Sequence, residues 1–148
     1  MVNVASLQRM PAKTLSELIL AEAGTEDKSY AIIDVRDHDH LGGHIKTSTH
    51  VPSATLEAFL PTLLRTLAPK RTVIFHCALS QQRGPSAALR YLREREKKAG
   101  GPAAETAEIP AEQQAVYVLD LGFVGWAREY GSDERLTENF RKELWEDY

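Results

Sequence analysis

Apolar positions along the chain fall into two alternating kinds of run. Tyr30-Ala31-Ile32-Ile33-Asp34-Val35, Thr72-Val73-Ile74-Phe75 and Val116-Tyr117-Val118-Leu119 are short, nearly continuous and rich in β-branched and aromatic residues, the pattern of strands covered on both faces. Elsewhere apolar residues recur every three or four positions, as on amphipathic helices. Thr14-Leu15-Ser16-Glu17 has the form of a capping box ahead of Leu18, Ile19 and Ala23, which predicts a helix over 14–23. Thr55 to Ala68 carries Leu56, Phe59, Leu60, Leu63, Leu64 and Leu67 as an apolar face and predicts a helix broken or restarted at Pro61. Ala87, Ala88, Tyr91, Leu92 and Arg95 predict another, opened by Gly84-Pro85 and braced by a Glu94–Lys98 pair. Leu136, Phe140 and Leu144, four residues apart, predict a closing amphipathic helix whose apolar face includes Trp145. His50-Val51 predicts a short strand ended by Pro52, and the polar run Arg36 to His44 a surface loop.

Strands alternating with helices predict an α/β domain with a central, mostly parallel sheet, helices on both faces, and ligands bound beyond the C-terminal strand ends. The chain has 148 residues, 43% of them hydrophobic, which suits a single domain over 1–148 with one core. Residues 98–114, rich in Ala, Glu, Gly and Pro, form a compositional break that predicts a mobile insertion. A net charge of -3 and a pI near 6.0 argue against nucleic acid or an anionic membrane as partner. No stretch approaches the ~18 apolar residues of a membrane span, and the first residues lack a signal-peptide pattern. A single cysteine allows no internal disulfide, which fits the cytoplasm or the nucleus. The pattern does not set an oligomeric state.

The chemistry concentrates in His76-Cys77-Ala78-Leu79-Ser80-Gln81-Gln82-Arg83-Gly84-Pro85, between a predicted strand and a predicted helix. A loop of this length can aim successive backbone N–H groups at one centre while the helix adds the positive end of its dipole. The matching ligand is a tetrahedral dianion. The amides from Ala78 to Arg83 are the candidate binding groups, with the Arg83 fork closing the ring on two oxygens. Cys77 lies at the floor, where the same amides favour a thiolate and hence a nucleophile at neutral pH. His76 is expected to orient the loop or tune the thiolate, and Ser80 to cap the loop or hydrogen-bond Cys77. Asp34, at a neighbouring strand end, reads either as a structural acceptor or as a general acid.

These residues, with Ile33-Asp34-Val35-Arg36, Gly43-His44-Ile45, His50-Val51-Pro52 and Leu119 to Trp126, resemble the rhodanese-like domain along nearly the whole chain. Within it the sequence is most similar to the M-phase inducer phosphatases and the eukaryotic arsenate reductases, small stand-alone type. That resemblance implies a loop one residue longer than in sulfur-transferring rhodaneses, suited to phosphate. It also implies that Arg36 pairs with an acidic residue such as Asp39. Mitotic relatives carry acidic loop residues proposed to protonate the leaving group, but here those places are Ala78 and Gln82. Those relatives also have a second cysteine where this chain has Val35, so oxidised Cys77 would depend on an external thiol. A long regulatory N-terminus and basic docking tail are not in this sequence, so control of cyclin-dependent kinases is not expected.

Three functions are compatible with these residues. The first is a protein tyrosine or dual-specificity phosphatase acting through a phosphocysteine. The second is arsenate reduction on the same cysteine, with glutathione or glutaredoxin as reductant. The third is a non-catalytic module that holds phosphorylated partners. Substrates are a phosphorylated protein or a small oxyanion, and no metal or organic cofactor is called for. His38, His40 and His44 crowd one polar loop, but without a cysteine partner they give only a weak metal signal.

Overall fold

The structure, a computed structural model, describes residues 7–98 and 113–146. Five strands form one sheet: β1 (Gln8–Met10), β2 (Tyr30–Asp34), β4 (Ser48–His50), β5 (Thr72–His76) and β6 (Ala115–Leu119). Their order is β1-β6-β5-β2-β4, and every adjacent pair is parallel. The two other strands, β3 (His44–Ile45) and β7 (Thr137–Glu138), make a small antiparallel pair.

The alternation along each strand decides which residues meet which helices. Ile33, Val73, Phe75, Val116 and Val118 face the side covered by α2 (Leu56–Leu67) and α3 (Arg83–Lys98). Ile32, Ile74 and Leu119 face the other side, against α1 (Ala12–Ala21) and α4 (Gly122–Tyr130). The expected parallel sheet with helices on both faces is thus present. Because β5 is the central strand, the loop that follows it emerges between the loops after β2 and β6.

Several local expectations are corrected. Helix α1 starts at Ala12, and no side chain caps it. Thr14 lies inside the first turn, and Ser16 Oγ donates instead to the Lys13 carbonyl at 2.6 Å. Helix α2 runs through Pro61 without a break and buries Leu56, Leu60, Leu63 and Leu67, while Phe59 stays exposed. The proline forgoes one donor, and the leucine stripe on the core carries the helix across it. Glu94 pairs with Lys97, not Lys98. Gly122-Phe123-Val124-Gly125-Trp126, read from the sequence only as following a strand, opens α4.

The predicted closing helix does not form. Thr137–Glu138 pairs with His44–Ile45 as β7, Asn139 takes φ 56°, and only a 3-10 turn follows at Lys142–Leu144. Leu136 is buried and Trp145 packs against the core, but through this irregular path. Most of the 98–114 stretch lies outside the described residues. Its last residue is firmly packed: Gln114 is buried, accepts from Tyr91 Oη at 2.8 Å, and donates to the Leu67 and Lys70 carbonyls at 2.7 and 2.8 Å. Among the described residues no helix is long and apolar enough to cross a membrane.

Candidate active site

Strand β5 delivers Cys77 to the C-terminal edge of the sheet, 3% exposed. Ser80 N–H and Gly84 N–H both donate to Cys77 Sγ at 3.3 Å. Ser80 therefore folds back over the sulfur, which requires its left-handed φ of 56°, a conformation unusual outside glycine. Gly84, at the start of α3, lies one residue beyond the Ala78–Arg83 amides expected to bind. It contributes through the helix N-terminus, where backbone donors lack intrahelical acceptors.

The carbonyls of the loop point the other way. Phe123 N–H and Val124 N–H, at the first turn of α4, donate to the Cys77 and Ala78 carbonyls at 2.9 Å each. In a planar trans peptide the N–H lies opposite the C=O, so these bonds turn the Ala78 and Leu79 amides away from α4. Among the described residues, the N–H groups of Ala78, Leu79, Gln81 and Gln82 have no acceptor. Leu79, Gln81 and Gln82 carry exposed side chains; the Ser80 hydroxyl is buried without a partner.

Arg83 already has side-chain partners. Its fork is engaged by the β2–β3 loop: Nη1 and Nη2 donate to Asp39 Oδ1 and Oδ2 at 2.7 and 2.6 Å, and Nη1 also to Asp37 Oδ2 at 3.3 Å. Asp39 accordingly does not pair with Arg36. The hydrogen bonds from Arg83 hold the Asp39 carboxyl well below the ordinary carboxylate range, and Asp39 in turn raises the Arg83 guanidinium. Both members of this contact stand out in the sequence, but they lie 44 residues apart and no local pattern joins them.

Arg36 is instead fully buried beside Asp34, a correction to the surface loop predicted there. Its Nη2 donates to Asp34 Oδ2 at 2.7 Å and to the Gly43 carbonyl at 2.9 Å, and its Nε to both Asp34 oxygens at 3.1 Å. The guanidinium carbon sits 4.3 Å from the Phe123 ring centroid, a cation–π contact shielded from water. Burial alone would raise the Asp34 carboxyl; the hydrogen bonds and charge of Arg36 more than offset it and hold it low. With both oxygens committed to Arg36, Asp34 is occupied as a structural acceptor.

His76 is buried, and burial lowers its imidazole against the attraction of Asp34. A neutral ring places its proton on Nδ1, 3.1 Å from the Cys77 carbonyl. Nε2 is then bare, with no hydrogen-bond partner and with Asp34 Oδ2 3.8 Å away. His76 thus braces the carbonyl that also accepts from Phe123. His40 stacks on His50 at 3.8 Å and on His44 at 5.7 Å, yet among the described residues no group of three His, Cys, Asp or Glu side chains is arranged to hold a metal ion.

A parallel α/β domain whose central strand is followed at once by a cysteine under loop and helix amides belongs to the doubly wound class, in which ligands sit beyond the C-terminal strand ends. Residues 18–129 match the rhodanese-like domain, and the chain is a member of that family. It is 37% identical over 126 residues to the CDC25-like phosphatase YCH1 of Saccharomyces cerevisiae, covering 78% of each chain. Over 100 residues it is 41% identical to arsenate reductase 2.1 of Oryza sativa subsp. japonica, covering 65% of this chain and 55% of the relative. Among solved structures, a yeast protein tyrosine phosphatase of the rhodanese family superposes with a TM-score of 0.71 at 31% identity, covering 98% of this chain and 99% of that one.

Proposed function

We propose that the protein is a cysteine-dependent phosphatase of the protein tyrosine or dual-specificity type. The observation that carries this reading is the convergence of two backbone N–H groups, from Ser80 and Gly84, on Cys77 Sγ at 3.3 Å. Donors so placed favour the sulfur as an anion and leave the amides of the intervening loop for a substrate's oxygens.

In the reaction, the Cys77 thiolate attacks phosphorus in line as the bond to the ester oxygen breaks, and the leaving oxygen departs as an anion that takes its proton from water. Loop amides and Arg83 stabilise the equatorial oxygens. Water then attacks the phosphocysteine, releasing inorganic phosphate and regenerating the thiolate. Ala78 and Gln82 supply no proton to the leaving group, and Asp34 is engaged with Arg36. Phosphoesters whose leaving group needs little protonation, such as aryl phosphates, are therefore the best substrates. No resident cofactor enters these steps. A thiolate enzyme with one cysteine belongs in a reducing compartment, the cytoplasm or the nucleus.

The likeness to the rice arsenate reductase supports a second reading. Arsenate has the shape and charge of phosphate, so Cys77 forms a bond to arsenic in the same cradle with loss of water. External thiols such as glutathione or glutaredoxin then supply the two electrons that reduce arsenate to arsenite and are themselves oxidised to a disulfide.

A paired assay decides between these readings: p-nitrophenyl phosphate hydrolysis against arsenate reduction with glutathione and glutaredoxin. Wild type should turn over the aryl phosphate, and Cys77→Ser should abolish turnover while retaining phosphate binding. Arsenate reduction without phosphatase activity would replace the first reading by the second. Turnover of both substrates by Cys77→Ser would discard the nucleophile.

A further inference from the structure

The Arg83 fork is held from one edge only. A guanidinium carries five N–H donors in a plane. The bonds to Asp39 and Asp37 run from Nη1 and Nη2. Nε–H and the second Nη2 hydrogen lie side by side on the adjacent edge and donate to no described residue. That edge is itself a bidentate fork of the kind that matches two oxygens of a tetrahedral anion.

The acidic loop that grips the first edge is well braced. Asp37 accepts from Ser53 Oγ at 2.6 Å and from Ala54 N–H at 3.0 Å, and its own N–H donates to Asp39 Oδ1 at 2.9 Å. Gly84 N–H, the amide that directly follows Arg83, donates to Cys77 Sγ at 3.3 Å, so the Arg83 side chain springs from backbone beside the sulfur. An unrestrained arginine would have to give up its rotamer freedom when the anion arrives. Here that freedom is already surrendered to Asp39.

We propose that Asp39 is a positioning residue for oxyanion binding, clamping the Nη1–Nη2 edge of Arg83 so that the Nε–Nη2 edge is presented to two oxygens of the substrate above Cys77. This rests on the reading of the Cys77–Arg83 loop as an oxyanion site. The opposite role is physically distinct: a carboxylate standing in for the anion would compete with it, and its removal would tighten binding.

Protection of Cys77 from iodoacetamide by inorganic phosphate measures the clamp without requiring turnover. The reagent is uncharged, so its rate in the absence of phosphate reports the loop and thiolate, while the phosphate needed for half-protection reports the anion grip. Asp39→Asn should alkylate at the wild-type rate without phosphate, yet need on the order of tenfold more phosphate for half-protection, because a misplaced fork loses its orientation. The KM for p-nitrophenyl phosphate should rise with it. In an Arg83→Lys background, Asp39→Asn should have no further effect, since a point charge has no second edge to aim. Unchanged or tighter phosphate protection in Asp39→Asn would overturn the proposal. So would an equal further loss in the Arg83→Lys background, which would mean that Asp39 acts on the anion independently of Arg83. If neither phosphate nor arsenate protects wild-type Cys77, the oxyanion-site reading itself fails, and the clamp with it.

Discussion

A Cβ atom placed on Gly122 would lie 2.5 Å from the Ala78 carbonyl oxygen and 2.7 Å from that of Cys77. The first turn of α4 is thus pressed against the backbone of the Cys77 loop, and Gly122 also holds φ 58°. Gly122→Ala should cost about 2 kcal/mol or more, from the strained backbone conformation alone, and should weaken phosphate protection of Cys77 by pushing the loop off α4. Urea denaturation and the alkylation assay check the two effects. A variant with wild-type stability and wild-type protection would show that the contact yields freely.

Removing Arg36 leaves the Asp34 carboxylate buried and unpaired. Arg36→Met should destabilise the protein by about 3–5 kcal/mol, the usual penalty for breaking a buried pair from one side. Replacing both residues, as Asp34→Asn with Arg36→Met, should recover part of that loss, because no charge is then stranded. A double variant no more stable than Arg36→Met would locate the cost in the lost contacts to Gly43 and Phe123.

Acidification should weaken the fold through His76. In the unfolded chain this imidazole takes up a proton near its ordinary pKa of about 6.5, whereas burial keeps the folded imidazole neutral to lower pH. Between those values the unfolded state binds more protons, so stability falls as pH falls. Asp34 and Asp39, held low in the folded state, add a second loss below about pH 4. Urea denaturation across pH 7 to 5 should show a shallower slope in His76→Gln. Some slope should persist, because burial also lowers His40. An identical slope in variant and wild type would assign the effect elsewhere.

Val35 offers a test of oxidation chemistry. Asp34 and His76 are register partners in β2 and β5, and Val35 N–H donates to the His76 carbonyl at 2.9 Å. Adjacent strands lie about 4.8 Å apart, so Val35 and Cys77, both buried in one cluster, are within disulfide reach. In Val35→Cys, peroxide should form a sulfenic acid on Cys77 that condenses with the new thiol, losing water and giving a disulfide that dithiothreitol reverses. Wild type should instead proceed to sulfinic acid or a mixed disulfide with glutathione. Intact-mass measurement distinguishes these products, and sulfinic acid in the variant would refute the predicted reach.

The legible parts of the fold were those written within one short window. Thr72 to Phe75 leads through His76 to Cys77, then through six residues to Gly84-Pro85 and a helical stripe, and the structure holds that order as β5, loop and α3. The buried runs at 30–35 and 116–119 gave β2 and β6 for the same reason. Leu136, Phe140 and Leu144 misled because spacing by four is a helix pattern only where the backbone is free to be helical. Thr137 is committed to β3 across the chain, and its side chain takes a hydrogen bond from Trp126 Nε1 at 2.9 Å. Strand β1, three residues long and at the edge of the sheet among the described residues, is too short to show a period.

The order and spacing of Cys77, its loop and Arg83 are legible in the chain alone, since these residues are contiguous and follow one strand and precede one helix. Only the tertiary structure decided what each charged or polar group faces. It gave Arg83 to Asp39 and Asp37, Arg36 to Asp34, and the carbonyls of Cys77 and Ala78 to α4. Those pairings join residues brought together by the parallel sheet, whose C-terminal edge sets the loops after β2, β5 and β6 side by side, and no local pattern in a chain records which of several distant carboxylates an arginine will meet.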